Sequence, residues 1–139
     1  MLVWESAYRI GEKEMDSQHL MLFALVNQLD ININQEMAAE CIGDVLGALE
    51  SYIAYHFAQE EALMRSWGYP HLDAHVATHE DFIAKVAALR ESVLTENPLH
   101  SAIKARGFVL DWLLGHILGT DADYVRYIAA RKTAAQDRS

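Results

Sequence analysis

The chain is predicted to fold as an all-α protein, an up-down-up-down four-helix bundle preceded by an irregular N-terminal arm. Three observations predict it. Four long stretches repeat apolar residues at intervals of three and four, the spacing of one helix face. The connections between them are short, which makes successive helices antiparallel neighbours. Finally, 52% of the 139 residues are hydrophobic while Gly and Pro number only 7 and 2, a balance that favours a packed helical core over disorder. Residues 1–139 read as one domain: an arm over 1–15, the bundle over 16–131 and a polar tail over 132–139. No linker rich in Gly, Ser or Pro, no repeat and no low-complexity segment divides it.

The arm carries Trp4, Tyr8, Ile10 and Gly11, aromatic and apolar residues suited to packing onto the bundle. Asp16 or Ser17 is a plausible N-cap for the first helix. Its stripe is His19, Leu22, Phe23, Val26 and Leu29, and it is expected to end near Ile31, before a turn-like Asn32-Ile33-Asn34. The second helix is expected from about Gln35 to Ser66, with Ile42, Val45, Leu46, Leu49, Ile53, His56, Glu60, Leu63 and Met64 inward. Gly68 stops it, and Pro70 suits the first position of the third helix. That helix turns Leu72, His75, Val76, His79, Phe82, Ile83, Val86 and Leu89 to the core. Asn97-Pro98 supplies an N-cap and a first-turn proline for the fourth. Its stripe is Ile103, Val109, Leu110, Leu113, His116, Ile117, Tyr124 and Ile128, and the polar stretch from Arg131 is expected to fray.

A formal charge of −9 repels phosphate backbones and anionic lipid, so neither nucleic acid nor membrane is the expected partner. The single cysteine, Cys41, rules out an intramolecular disulfide and a multi-thiolate metal site, and its spacing places it buried and inert. No signal-peptide pattern or membrane-length apolar run is present, so a cytoplasmic location is the expectation.

The chemistry concentrates between His56 and His79. His56 and Glu60 are four apart, as are His75 and His79, and residues four apart share a helix face. One histidine on an apolar face is usually an ordinary core residue. Two such pairs are another matter, because a buried carboxylate needs partners. His19 on the first helix and His116 and Asp121 on the fourth lie on or near the same inward faces. The candidate metal ligands are therefore His19, His56, Glu60, His75, His79, His116 and Asp121. His71 and His100 sit near helix starts and read as exposed.

His116 and Asp121 are five apart, which separates them around a regular helix. A π-type turn, or loosening at Gly119, would bring both to one face, so the hydrogen-bond ladder is predicted to break near Leu118 to Thr120. Seven ligands exceed the needs of one ion. Imidazole with carboxylate suits iron, zinc, copper or nickel better than calcium or magnesium. If Glu60 and Asp121 bridge two octahedral ions that also share a hydroxide or oxide, eleven of the twelve coordination positions are filled. One position stays open, on one ion only.

These pieces resemble the hemerythrin family, specifically its single-domain bacterial members. The matching segments are Trp4 and Tyr8, Asp16-Ser17-Gln18-His19, His56-Phe57-Ala58-Gln59-Glu60-Glu61 with Met64, Tyr69-Pro70, His75-Val76-Ala77-Thr78-His79, and His116-Ile117-Leu118-Gly119-Thr120-Asp121, in the family's order over almost the whole chain. The resemblance implies two non-haem iron ions with a bridging hydroxo or oxo group, binding dioxygen reversibly for carriage, storage or delivery. It implies that His75, His79 and His116 complete one iron, that His19 and His56 hold the other, which keeps the open site, and that Glu60 and Asp121 bridge. Leu22, Phe57, Trp112, Leu113 and Ile117 match residues lining the family's oxygen pocket, and such apolar walls disfavour water, protons and anions.

A catalytic role is not expected. Carboxylate-rich di-iron oxidases are built on Glu-x-x-His pairs, and the sequence contains none. A zinc hydrolase of the His-Glu-x-x-His kind is weaker still, because Val76 stands where the general-base Glu belongs. The alternatives that stay open are a di-iron redox enzyme and a module sensing oxygen or nitric oxide. Delivery would call for an oxygen-consuming protein partner. Monomer and dimer both remain open.

Overall fold

The computed structural model describes residues 4–137; the outermost positions of the expected arm and tail lie outside the described residues. The chain is all-α, a four-helix bundle, with no strand among the described residues. A 3-10 turn at Ser6–Tyr8 leads into α1 (Lys13–Asn34), α2 (Ala38–Ser66), α3 (Leu72–Ser92) and α4 (Pro98–Gly115). A π-helical segment, His116–Asp121, then joins α4 to α5 (Ala122–Asp137), so the fourth rod of the bundle runs through all three.

Several helix ends differ from the sequence expectation, and each has a local cause. α1 starts at Lys13, ahead of the expected cap. Asp16 lies inside its first turn and caps outward instead, its two carboxylate oxygens accepting from the backbone N–H groups of Ile10 and Gly11 at 2.8 and 3.3 Å. That pins the arm, and Trp4 and Tyr8 then pack their rings on Phe23 of α1 at centroid distances of 5.0 and 5.4 Å. Asn32-Ile33-Asn34 stays helical. The chain reverses one step later, where Glu36 takes φ +59°. The N–H groups of Glu36 and Met37 then donate to the carbonyls of Ile33 and Asn32, a Schellman closure built without glycine. The end of α2 uses the same closure with Gly68 at φ +66°, Gly68 N–H reaching Arg65 O and Tyr69 N–H reaching Met64 O. Pro70 lies in the turn that follows, and α3 begins two residues later. At α4 the expected cap is present: Asn97 Oδ1 accepts from Leu99 and His100 N–H, with Pro98 in the first turn. α5 continues to Asp137 through much of the stretch expected to fray, exposed from Ala129 onward.

The core divides into two apolar clusters. The larger joins Leu22, Phe23, Val26 and Leu29 of α1 with Ile42, Leu46, Leu49, Ile53 and Phe57 of α2, Phe82 and Val86 of α3, and Val109 and Leu113 of α4. The smaller joins Met15, Met64, Tyr124 and Ile128. Burying each large side chain contributes roughly 1.5–3 kcal/mol, so these layers hold the rods together. Ile83 and Ile103, expected inward, are 43% and 45% exposed. The helical period drifts past the narrow core face at both positions. Cys41 is only half-buried, at the edge of its helix's apolar face.

Candidate metal centre

Between the two apolar clusters sits a polar one. His19, His56, Glu60, His75, His79, His116 and Asp121 are all buried, and Glu60 and Asp121 have no exposed surface. Four rods supply them. α1 gives His19, α2 gives His56 and Glu60, α3 gives His75 and His79, and the π segment gives His116 and Asp121. The π segment spans the ladder break expected around Leu118 to Thr120. Its wider turn brings residues five apart onto one face, and His116 Nε2 lies 2.9 Å from Asp121 Oδ1.

The donor atoms fall into two groups, each within 4.8 Å: Glu60, His75, His79, His116 and Asp121 in one, His19, His56, Glu60 and Asp121 in the other. The carboxylates divide their oxygens between these groups. Glu60 Oε1 faces the Nε2 atoms of His75, His79 and His116 at 2.9, 3.0 and 3.9 Å. Its Oε2 faces those of His19 and His56 at 3.8 and 3.6 Å. Asp121 Oδ1 lies 3.0 Å from His75 Nε2, and Oδ2 lies 3.1 Å from His19 Nε2.

Many of these contacts are close without being aligned as hydrogen bonds. Both Asp121 oxygens and His19 Nε2 are buried with no hydrogen-bond partner. His79 Nε2 and His116 Nε2 point at each other across 3.1 Å. Leaving buried carboxylate oxygens and imidazole nitrogens so poorly satisfied costs roughly 1–3 kcal/mol per group, more where it is charged. Lone pairs that converge on common points are instead what cations accept, so the residues present fit a pair of metal ions.

The electrostatics describe the metal-free cluster. Burial opposes charge on His19 and His75, but Asp121 and Glu60 outweigh it and raise each pKa to about 9. His116 is raised too, against burial, by the same two carboxylates. Burial dominates at His56 and lowers it to about 4. The surrounding histidines overcome burial at Glu60 and Asp121 and hold both below the usual carboxylate range. Protons on the histidines thus balance the two carboxylates, a role that cations would take over.

Outside the cluster lie three contacts that the sequence reading did not single out. Gln18 Oε1 meets His56 Nδ1 at 2.7 Å. Glu61 Oε2 meets His79 Nδ1 at 3.0 Å. The Tyr124 hydroxyl donates to Glu60 Oε2 at 2.9 Å, and burial with the Glu60 carboxylate pushes its pKa far above the ordinary tyrosine value. Tyr124 had a sequence signal: a tyrosine in an apolar stripe, three residues after a candidate ligand, needs a partner for its hydroxyl. Gln18 and Glu61 have only their places beside His19 and Glu60.

The five expected pocket residues also have definite places. Phe57 stacks on His79, centroids 3.7 Å apart and planes 1° apart, and Trp112 stacks on His116 at 4.2 Å. Leu22, Leu113 and Ile117 are buried in the larger apolar cluster, each within a turn of a cluster histidine. His71 and His100 are exposed, away from the cluster.

No helix among the described residues is long and apolar enough to cross a membrane. A family model described as the hemerythrin HHE cation binding domain matches residues 11–128. The chain is 32% identical to the bacteriohemerythrin of Stenotrophomonas maltophilia over 130 residues, covering 94% of this chain and 83% of that protein. It is 35% identical to the bacteriohemerythrin of Pseudomonas aeruginosa over 125 residues, 89% of this chain and 79% of that protein. A hemerythrin-like protein of Naegleria gruberi is 30% identical over 121 residues, 87% and 88% of the two chains.

Proposed function

The chain belongs to the hemerythrin family, and on that premise we propose that it binds dioxygen reversibly at a non-haem di-iron centre, for carriage, storage or delivery. The observation that carries the reading is the division of each carboxylate between two donor groups. Glu60 and Asp121 would bridge. His75, His79 and His116 would hold one ion, and His19 and His56 the other. Iron held by these residues would supply the electrons that dioxygen takes up on binding and gives back on release.

The chain's own residues do the rest. Five imidazoles and two carboxylates come from four separate rods, so the bundle fixes their spacing before any ion arrives. The two-histidine group offers one ligand fewer, which leaves room there for a small end-on molecule. Leu22, Phe57, Trp112, Leu113 and Ile117 wall the site with apolar surface, admitting a neutral diatomic molecule and disfavouring water and anions. Phe57 and Trp112 also hold the His79 and His116 rings by stacking. The Tyr124 hydroxyl is already committed to Glu60.

The test is an optical titration of anaerobically reduced, iron-loaded protein with oxygen, followed by argon purging. Charge-transfer absorption should appear with oxygen and vanish under argon. Absorption that never reverses would move the protein to oxidation chemistry, as a redox enzyme or a redox sensor. Sustained oxygen consumption with a reductant would do the same.

A further inference from the structure

The two donor groups are held differently from outside. All five histidines turn Nε2 to the cluster, so in His56 and His79 the proton on Nδ1 is left for an outer partner. For His79 that partner is the Glu61 carboxylate. For His56 it is the uncharged amide oxygen of Gln18. A carboxylate draws the Nδ1 proton more strongly than an amide, which makes the opposite nitrogen a better donor to a cation. The third outer contact acts on the bridge. Tyr124 donates to Glu60 Oε2, the oxygen that faces His19 and His56, and so draws electron density from the two-histidine side. Ligand number points the same way, three histidines against two. Each difference favours one side.

We propose that the three-histidine group (His75, His79, His116) is the tighter cation site and fills first, and that Glu61 and Tyr124 set this order as positioning residues. The inference rests on the two-ion reading above. Its consequence is a half-loaded form when metal is scarce, with one ion anchored among His75, His79 and His116. The weaker, two-histidine group, which has room for a ligand, completes the centre last.

The experiment titrates the metal-free full chain with Zn²⁺, a diamagnetic probe that needs no oxygen and reports no activity. Calorimetry resolves the steps, and imidazole ¹⁵N resonances locate each ion. Two steps are expected, the first shifting His75, His79 and His116. Glu61→Gln, with helicity checked by circular dichroism, should weaken the first step by about 10-fold or more, the usual cost of losing an outer partner of a metal-bound histidine. The second step should change far less. Tyr124→Phe should tighten the second step, and Gln18→Glu, which gives His56 its own carboxylate, should tighten it too. A first ion at His19 and His56, or simultaneous filling, would overturn the order while leaving the two-ion reading intact; a Glu61→Gln variant that weakens both steps equally, or a Tyr124→Phe variant that leaves the second step unchanged, would overturn the part assigned to that residue. A folded wild-type chain that takes up no Zn²⁺ would overturn both.

Discussion

Leu113→Ala tests two roles of one side chain at once. Leu113 is 2% exposed, in the larger apolar cluster, three residues before His116 and so one turn above it on the same face. As a core residue it should cost about 2–5 kcal/mol when truncated, because the surroundings collapse only partly into the void. Taking about 3 kcal/mol, and the 2–8 °C per kcal/mol that spans domains of this general size, the melting temperature should fall by roughly 10 °C. That much follows for any buried leucine. The second role is specific to the proposed pocket. A void beside His116 would border polar groups, and one water needs a liquid-volume share of only about 30 Å³. Water there should speed irreversible oxidation of the oxygenated protein several-fold. Calorimetry reads the first effect and decay of the oxygenated absorption reads the second. A variant that loses the expected stability yet oxidises at the wild-type rate would make Leu113 a core residue only and remove it from the pocket wall.

Three further outcomes are expected. Glu36→Gly should raise stability by about 1 kcal/mol in chemical denaturation, since a non-glycine residue there occupies the left-handed region; no gain would mean that Glu36 makes a compensating contact. Deleting Gly119, which has no side chain to lose, should turn the π segment into an ordinary helical turn with His116 and Asp121 four apart, and the variant should still bind two ions; loss of an ion would show that the wide turn itself sets the ligand positions. The metal-free protein should be most stable near pH 6.5 in thermal melts. Below that pH the unfolded chain gains protons that His56, at about 4, and the depressed Glu60 and Asp121 refuse. Above it, the stability held by protonated His19 and His75 is lost as pH rises through about 9. A flat profile above neutrality would refute the balance of protons against carboxylates.

Much of the fold was legible because the chain announces its stops. Asn97-Pro98 and Gly68 act as their chemistry requires, and the interval between His116 and Asp121 located the break in the last rod. The ends that moved lack such marks. The reversal at Glu36 uses a residue with no turn preference, so nothing in Asn32-Ile33-Asn34-Gln35-Glu36 says which position takes the positive φ. Pro70 can begin a helix or sit in the turn ahead of one, and only packing decides. The outer contacts of Gln18, Glu61 and Tyr124 join residues as far as 64 apart, and no helical period reports them.

The placement of the site explains why the bundle tolerates it. A buried group of five imidazoles and two carboxylates is a poor core in its own right, because both Asp121 oxygens and both His19 ring nitrogens are left without a hydrogen-bond partner. The fold confines that cost to one layer. Phe57, Leu113 and Ile117 seal one side, while Met15, Met64, Tyr124 and Ile128 seal the other. Those layers keep their burial energy whether or not ions are present, so the rods should assemble first and leave the cluster poised. Cation binding then relieves a strain already built in. On this argument the metal-free chain is a folded bundle with a proton-balanced cluster, and its far-ultraviolet circular dichroism should match that of the loaded protein. A metal-free chain that is unfolded at pH 7 would mean instead that the ions are part of the core.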